Sequence, residues 1–146
     1  MLKEYPDHHD AELLLKIYDL RREAVMRDSR AQLLKEYWPK SAEEAIDILL
    51  RGDHPLNRAW RQVTTYWEMV YGIAHQGIMN ADFLVDNSGE GLVYFARAEA
   101  YLPQMRAASG PRVLRHTEWI ATETEMGRKM IEIARARVAK ARAAAS

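Results

Sequence analysis

Residues 55–79 read PLNRAWRQVTTYWEMVYGIAHQGIM, and the spacing within them decides the fold. Trp60, Val63, Trp67, Val70, Ala74 and Ile78 recur at three- and four-residue intervals, the period of one face of an α-helix. Arg61, Glu68 and His75 follow a second line beside that stripe. Pro55 suits the first turn of such a helix and Gly77 a stop near its end. The pattern predicts a central core helix over 55–79. An ionisable group at the edge of a buried stripe must find a partner or change its protonation, so Glu68 and His75 are the first candidates for a site or for a structural network.

Toward the N-terminus, residues 7–38 read as one long helix or two abutting helices. Leu13, Leu14, Ile17, Leu20, Ala24 and Val25 form the inner face, Asp7 is the N-cap, and Ser29 with Gln32 caps a second segment if the chain bends. Trp38-Pro39 ends it, because the residue before proline is pushed out of the helical region. Ser41-Ala42-Glu43-Glu44 is a capping-box pattern for a short helix burying Ala45, Ile48 and Leu49, closed by Gly52. Toward the C-terminus, Asn80 caps a short turn that drops Phe83 and Leu84 into the core. Residues 88–108 present Gly91, Tyr94, Phe95, Ala98, Leu102 and Met105 on one side, with a kink or break at Pro103. Ser109-Gly110-Pro111 is a loop. Residues 112–145 form a last helical region, interrupted near 122–124, with Trp119, Met126, Met130, Ile133 and Ala134 inward. No segment alternates with period two between turn signals. The expected fold is therefore all-α, a bundle of five to seven helices in one domain over residues 1–146, ending in an Ala/Arg-rich basic helix from about 128 to 146.

Composition narrows the function classes. Hydrophobic residues make up 48% and charged residues 29%, and 21 basic residues balance 21 acidic ones. Such a chain is expected to be globular and soluble, with no overall field to attract nucleic acid or acidic lipid. The absence of cysteine removes disulfides, thiolate metal sites and cysteine nucleophiles together, and fits a cytoplasmic setting. Residues 1–10 lack the apolar segment of a secretory signal, and no stretch approaches the roughly 20 apolar residues of a membrane span.

Enzyme motifs fail one after another. Glu68 and His75 lie about 10 Å apart along a helix axis, too far to share one metal ion. Neither Glu-x-x-His nor His-Glu-x-x-His occurs, no Gly-x-Ser-x-Gly is present, and Gly89-Glu90-Gly91 lacks the strand and the Gly-Lys of a phosphate loop. His8, His9 and Asp10 are adjacent and so diverge around a helix rather than converge on a metal. No catalytic residue, metal or cofactor is implied. What remains is a set of charges that interrupts apolar faces: Asp10, Arg21 and Asp28 early, Glu99 and Arg106 late. With Glu68 they suggest an internal ionic network in which Arg21 or Arg106 meets Glu68 or Glu99. A bolder arrangement places Glu68, His75, Glu99 and Arg21 around a polar pocket for an unidentified small molecule or a metal. The cations Arg128, Lys129, Arg135, Arg137, Lys140 and Arg142 face only Glu132 over the last nineteen residues and offer a possible basic contact surface, although no aromatic follows Trp119 to stack bases.

The run Tyr66-Trp67-Glu68-Met69, followed by Ile73, Gly77-Ile78 and Asp82-Phe83-Leu84, with Tyr101-Leu102-Pro103 and Arg106 later, resembles an uncharacterised all-helical family of bacteria and phages, a domain of unknown function. The resemblance covers roughly residues 60 to 120. It implies a helical fold with Glu68 in its core and brings no activity. The expected role is a non-enzymatic interaction or structural module, a homodimer without membrane contact. Small-molecule or metal binding around Glu68 is the alternative, and nucleic-acid contact through the basic helix a third.

Overall fold

The computed structural model describes residues 1–146 and is built of helices alone: α1 (His8–Arg21), α2 (Ala24–Glu36), α3 (Ala42–Leu50), α4 (Asn57–His75), α5 (Ala81–Asn87), α6 (Gly91–Ala98), α7 (Leu102–Ser109), α8 (Arg115–Glu123) and α9 (Glu125–Ala145), with a 3-10 turn at Glu99–Tyr101. The all-α expectation holds. The helices number nine rather than five to seven because each optional break in the sequence is taken. No helix is long and apolar enough to cross a membrane.

α4 is the pivot. It packs against α2, α3, α5, α6 and α8, while α9 lies over α5, α6 and α8, and α1 sits at the edge on α2 and α5. Its predicted stripe is buried at Trp60, Val63, Trp67, Val70 and Ala74, with Tyr66 and Tyr71 added. The rings interlock: Trp67 stacks on Tyr71 with centroids 5.4 Å apart, meets Tyr66 edge-on at 5.1 Å, and Trp60 packs on Tyr37 at 4.7 Å. Such pairs add specificity beyond the area they bury. The Tyr71 hydroxyl, fully enclosed, donates to the Ser88 carbonyl at 2.8 Å and accepts from Gly91 N–H at 3.1 Å. A Cβ at Gly91 would lie 2.5 Å from the Tyr71 ring, so the start of α6 can approach only without a side chain.

The helix ends depart from expectation in instructive ways. Pro55 lies in the turn before α4, and Asn57 begins the helix while its side-chain amide donates to the last carbonyls of α3, Ile48 O at 2.9 Å and Leu49 O at 3.3 Å. At the far end α4 stops at His75 and Gly77 turns left-handed at φ 81°, so Ile78 leaves the stripe and is exposed. The first helical region breaks at Arg22-Glu23, where the Glu23 carboxylate caps Val25 N–H and Met26 N–H. The break resets the rotation of α2 relative to α1. Met26, Ser29, Leu33 and Tyr37 turn inward, Leu20, Ala24 and Val25 turn outward, and Ser29 is a buried mid-helix residue rather than a cap. Thr124, extended at φ −112° and ψ 148°, likewise restarts the last helix and caps it through Gly127 N–H. The inner line of α9 accordingly becomes Gly127, Ile131, Ala134 and Val138, and Ile133 is exposed. Other local signals match the structure: the Asp7, Ser41 and Asn80 caps, Pro103 in the first turn of α7, and the whole inner face of α6 and α7.

Candidate functional site

Glu68 projects from α4 toward the start of α8. The residue before α8, Leu114, is buried in the left-handed region at φ 54° and has no side-chain acceptor with which to cap the helix. Glu68 supplies the cap from 46 positions earlier: Oε1 accepts His116 N–H at 3.0 Å, and Oε2 accepts Thr117 N–H at 2.8 Å and the Thr117 hydroxyl at 2.6 Å. A carboxylate at a helix N-terminus is favoured by the unpaired amides and by the helix dipole. No arginine is involved.

One and two turns further along α4 lies a histidine pair. The missing side chain of Gly72 leaves room for the His116 ring, which a Cβ there would meet at 3.2 Å. His116 Nδ1 lies 2.8 Å from His75 Nδ1, and Arg115 Nη2 lies 3.1 Å from His116 Nε2. Arginine only donates, so His116 Nε2 is the acceptor, its proton sits on Nδ1, and that proton is donated to His75 Nδ1. His75 then carries its own proton on Nε2, and its ring stacks on Trp119 with centroids 4.3 Å apart. A further proton on His75 Nδ1 would face the N–H of His116. Burial, then His116 and Arg115, hold the His75 pKa below that of an ordinary imidazole. The folded chain therefore binds this proton less readily than the unfolded chain. Stability is fully present above the unfolded imidazole value and falls as pH drops through it toward the folded one. Thermal denaturation between about pH 7.5 and 5.5 should show the melting temperature falling with acid, and His75→Gln should flatten that slope. An equal slope in the variant would contradict the assignment.

The remaining candidates do not converge on Glu68. Arg106 pairs with Glu118 at 3.1 Å and donates to the Val113 carbonyl, tying α7 to α8. Glu99 is held by Arg135, through two bonds of 2.7 and 2.9 Å. Arg21 makes no ion pair and lies over the Tyr18 ring, 5.2 Å from its centroid, and Asp28 is exposed without an ionic partner. Asp10 alone is a fully buried charge, bridged to Lys3 Nζ at 2.6 Å. The expected single network is thus several separate pairs: Arg21 ends α1 over the Tyr18 ring, Glu99 lies in the 3-10 turn against Arg135 of α9, and Arg106 faces Glu118 of α8. Glu68, His75, Glu99 and Arg21 consequently do not line one pocket, and no group of three metal-binding side chains exists in the chain. The cations of α9 are also dispersed. Arg135 is held by Glu99 and Glu132, Lys129 by Glu125, Arg128 donates to Thr122 O and Arg142 to Arg97 O, while Arg137 and Lys140 have no acidic partner.

Sequence reasoning passed over Arg97. It is the one cation in the apolar run GLVYFARA of α6 and is 8% exposed. Its Nη1 donates to the last carbonyls of α2, Leu34 O at 2.8 Å, Tyr37 O at 3.2 Å and Leu33 O at 3.4 Å, and its guanidinium stacks on Trp38 at 3.8 Å. No carboxylate pairs with it, and its enclosed Nε has no acceptor. Burial pushes its proton affinity down and Arg142 adds to this, against the opposing influence of Tyr94 and Tyr37; since arginine keeps its proton in proteins, the direction registers an uncompensated charge. A lone arginine at the centre of an apolar helix was the available signal. Arg97 lies in the wall of an open trough of about 590 Å³ between α2, α6 and α9, and Trp38 separates this from a second hollow of about 600 Å³ reaching Lys40, Tyr101 and Arg142.

A family model described as a domain of unknown function, DUF4760, matches residues 6–124, which is α1 through α8. No curated protein and no solved structure matches the chain.

Proposed function

We propose that this chain, which belongs to the DUF4760 family, is a non-enzymatic helical interaction module that associates with a second copy of itself through the outward side of α1. The observation that carries this reading is the apolar row on that side: Leu15 is 67% exposed and Tyr18 48%, one turn apart, with Ala11 preceding them in line. An edge helix with apolar residues on both its sides has one side left to cover. The charges along the row suit an antiparallel copy. Glu12 near its start and Arg22 at its end have no ionic partner within the chain, and antiparallel docking sets the acidic end of one helix beside the basic end of the other while opposing the two helix dipoles.

The α4–α8 seam supports the non-enzymatic part. Glu68 accepts three hydrogen bonds from the start of α8, His116 Nε2 accepts one from Arg115 and His75 Nδ1 one from His116, so these groups are committed to docking α8 on α4. Sedimentation equilibrium at micromolar concentration should give the mass of a dimer. Leu15→Glu combined with Tyr18→Glu should give a monomer with unchanged helical circular dichroism. A native chain that is monomeric throughout, or a double variant as dimeric as the native chain, would overturn the reading.

A further inference from the structure

We infer that the trough between α2, α6 and α9 binds a long-chain monocarboxylate, its head group received by Arg97 and its tail laid along Leu92, Val93, Met130 and Ile133. The site is independent of the α1 surface. Three arginines elsewhere in the chain show how this protein holds a carboxylate: Arg30 on Glu90, Arg51 on Asp53 and Arg135 on Glu99 each use the Nε–Nη2 edge in a two-bond fork. Arg97 is more deeply buried than any of them, yet only its Nη1 is engaged, and the same edge has no acid. The carbonyls at the end of α2 offset part of the charge. They engage Nη1 alone; Nε is enclosed, while Nη2 has no acceptor within the chain, and a carboxylate in the trough can take a charge-assisted hydrogen bond from it.

The surroundings select the charge and the shape of the ligand. Arg137 on the wall of the trough, and Arg142 and Lys40 in the adjoining hollow, have no carboxylate partner either. Glu90, the acid of the trough, is neutralised by Arg30 through bonds of 2.7 and 2.6 Å. Eight of the twelve lining residues are apolar, so an inorganic anion would leave most of the surface uncovered. A trough of about 590 Å³ lies within the range of ligand sites that combine an apolar lining with a few placed polar groups. A single negative head on an apolar chain meets both demands, and a cationic amphiphile is repelled.

The test uses the full chain with decanoate, decanol, decyltrimethylammonium and acetate, each below micelle-forming concentration, read by titration calorimetry and by the Trp38 indole resonance. Decanoate should bind with one-to-one stoichiometry at least about tenfold more tightly than decanol, shift the Trp38 signal, and leave acetate and the ammonium compound without measurable binding. Because Arg97 caps α2, replacing it endangers folding; the variants used are therefore Arg137→Glu and Val93→Trp, neither of which removes a side-chain hydrogen bond of the fold. Arg137→Glu should weaken decanoate several-fold while leaving decanol unchanged, and Val93→Trp should weaken both. Decanoate binding no tighter than decanol, or decanoate affinity unchanged in both variants, would overturn the assignment.

Discussion

Glu68→Ala should lower the stability of the chain by about 3 kcal/mol, since it removes a charged acceptor from two backbone amides and a hydroxyl at once. For a chain of this length that corresponds to a fall of roughly 6–12 °C in melting temperature. The loss is large because α8 has no local alternative. Leu114 cannot cap, and its left-handed backbone is held in place by the packing of a buried side chain rather than by a preference of leucine for that conformation. Without the carboxylate, His116 and Thr117 face the gap with unpaired N–H groups. Glu68→Gln separates the role of the charge from that of the side chain's bulk: one oxygen becomes an NH2 opposing a donor, so the glutamine variant should fall most of the way with the alanine one. Amide exchange at His116 and Thr117 should quicken in both. A glutamine variant as stable as the native chain would show that α8 is docked by packing alone and that the carboxylate is incidental.

The same clamp shows where reading the sequence reaches its limit. Period and caps are local properties, and they were legible: the stripe of α4, the Ser41–Glu44 box, Asn80 ahead of α5, Pro103 in the first turn of α7. That Glu68 lies at the border of a buried face was legible too. Its partner was not, because two backbone amides 48 and 49 positions away carry no sequence signature, whereas an arginine does; reasoning from side-chain charge alone therefore sought a cation. The inner faces of α2 and α9 were misread for one shared cause. A break of one or two residues, at Arg22-Glu23 or Thr124, shifts helical phase, and every later position rotates with it. Arg97 combines both difficulties. Its apolar neighbourhood was visible, but its acceptors are carbonyls of a helix some sixty residues earlier, and the empty edge of its guanidinium exists only in three dimensions.

Asp10→Ala should be as costly, about 3 kcal/mol, because it removes a charged acceptor from a buried backbone amide and an ammonium at once. Asp10 is fully buried and serves two donors: Lys3 Nζ at 2.6 Å and Asn80 N–H at 3.1 Å. Asn80 in turn binds the carbonyls of Lys3 and Glu4 through its amide and caps α5 through its oxygen at 2.8 Å. One carboxylate thus fastens the N-terminal segment, the start of α1 and the start of α5 to one another, and Asp10, followed by Asp7, holds the Lys3 ammonium firmly in its charged form. Asp10→Asn keeps an acceptor for Asn80 N–H while losing the ion pair, so it should fall between the native chain and the alanine variant. A double-mutant cycle with Lys3→Ala should show strong coupling, because each single change removes the same contact. The effect should also reach beyond stability. α1 rests on the fold through few neighbours, α2 and α5, with the Tyr66 hydroxyl of α4 donating to the Ile17 carbonyl, and freeing its start lets the helix fray, which disperses the Leu15–Tyr18 row on which self-association depends. Asp10→Ala should therefore weaken the dimer in sedimentation at temperatures where the rest of the chain is still folded, with faster amide exchange along α1. Exchange along α1 that stays at the native rate would mean that the helix is anchored by Ile17 and its apolar neighbours instead, and that the buried carboxylate serves only α5.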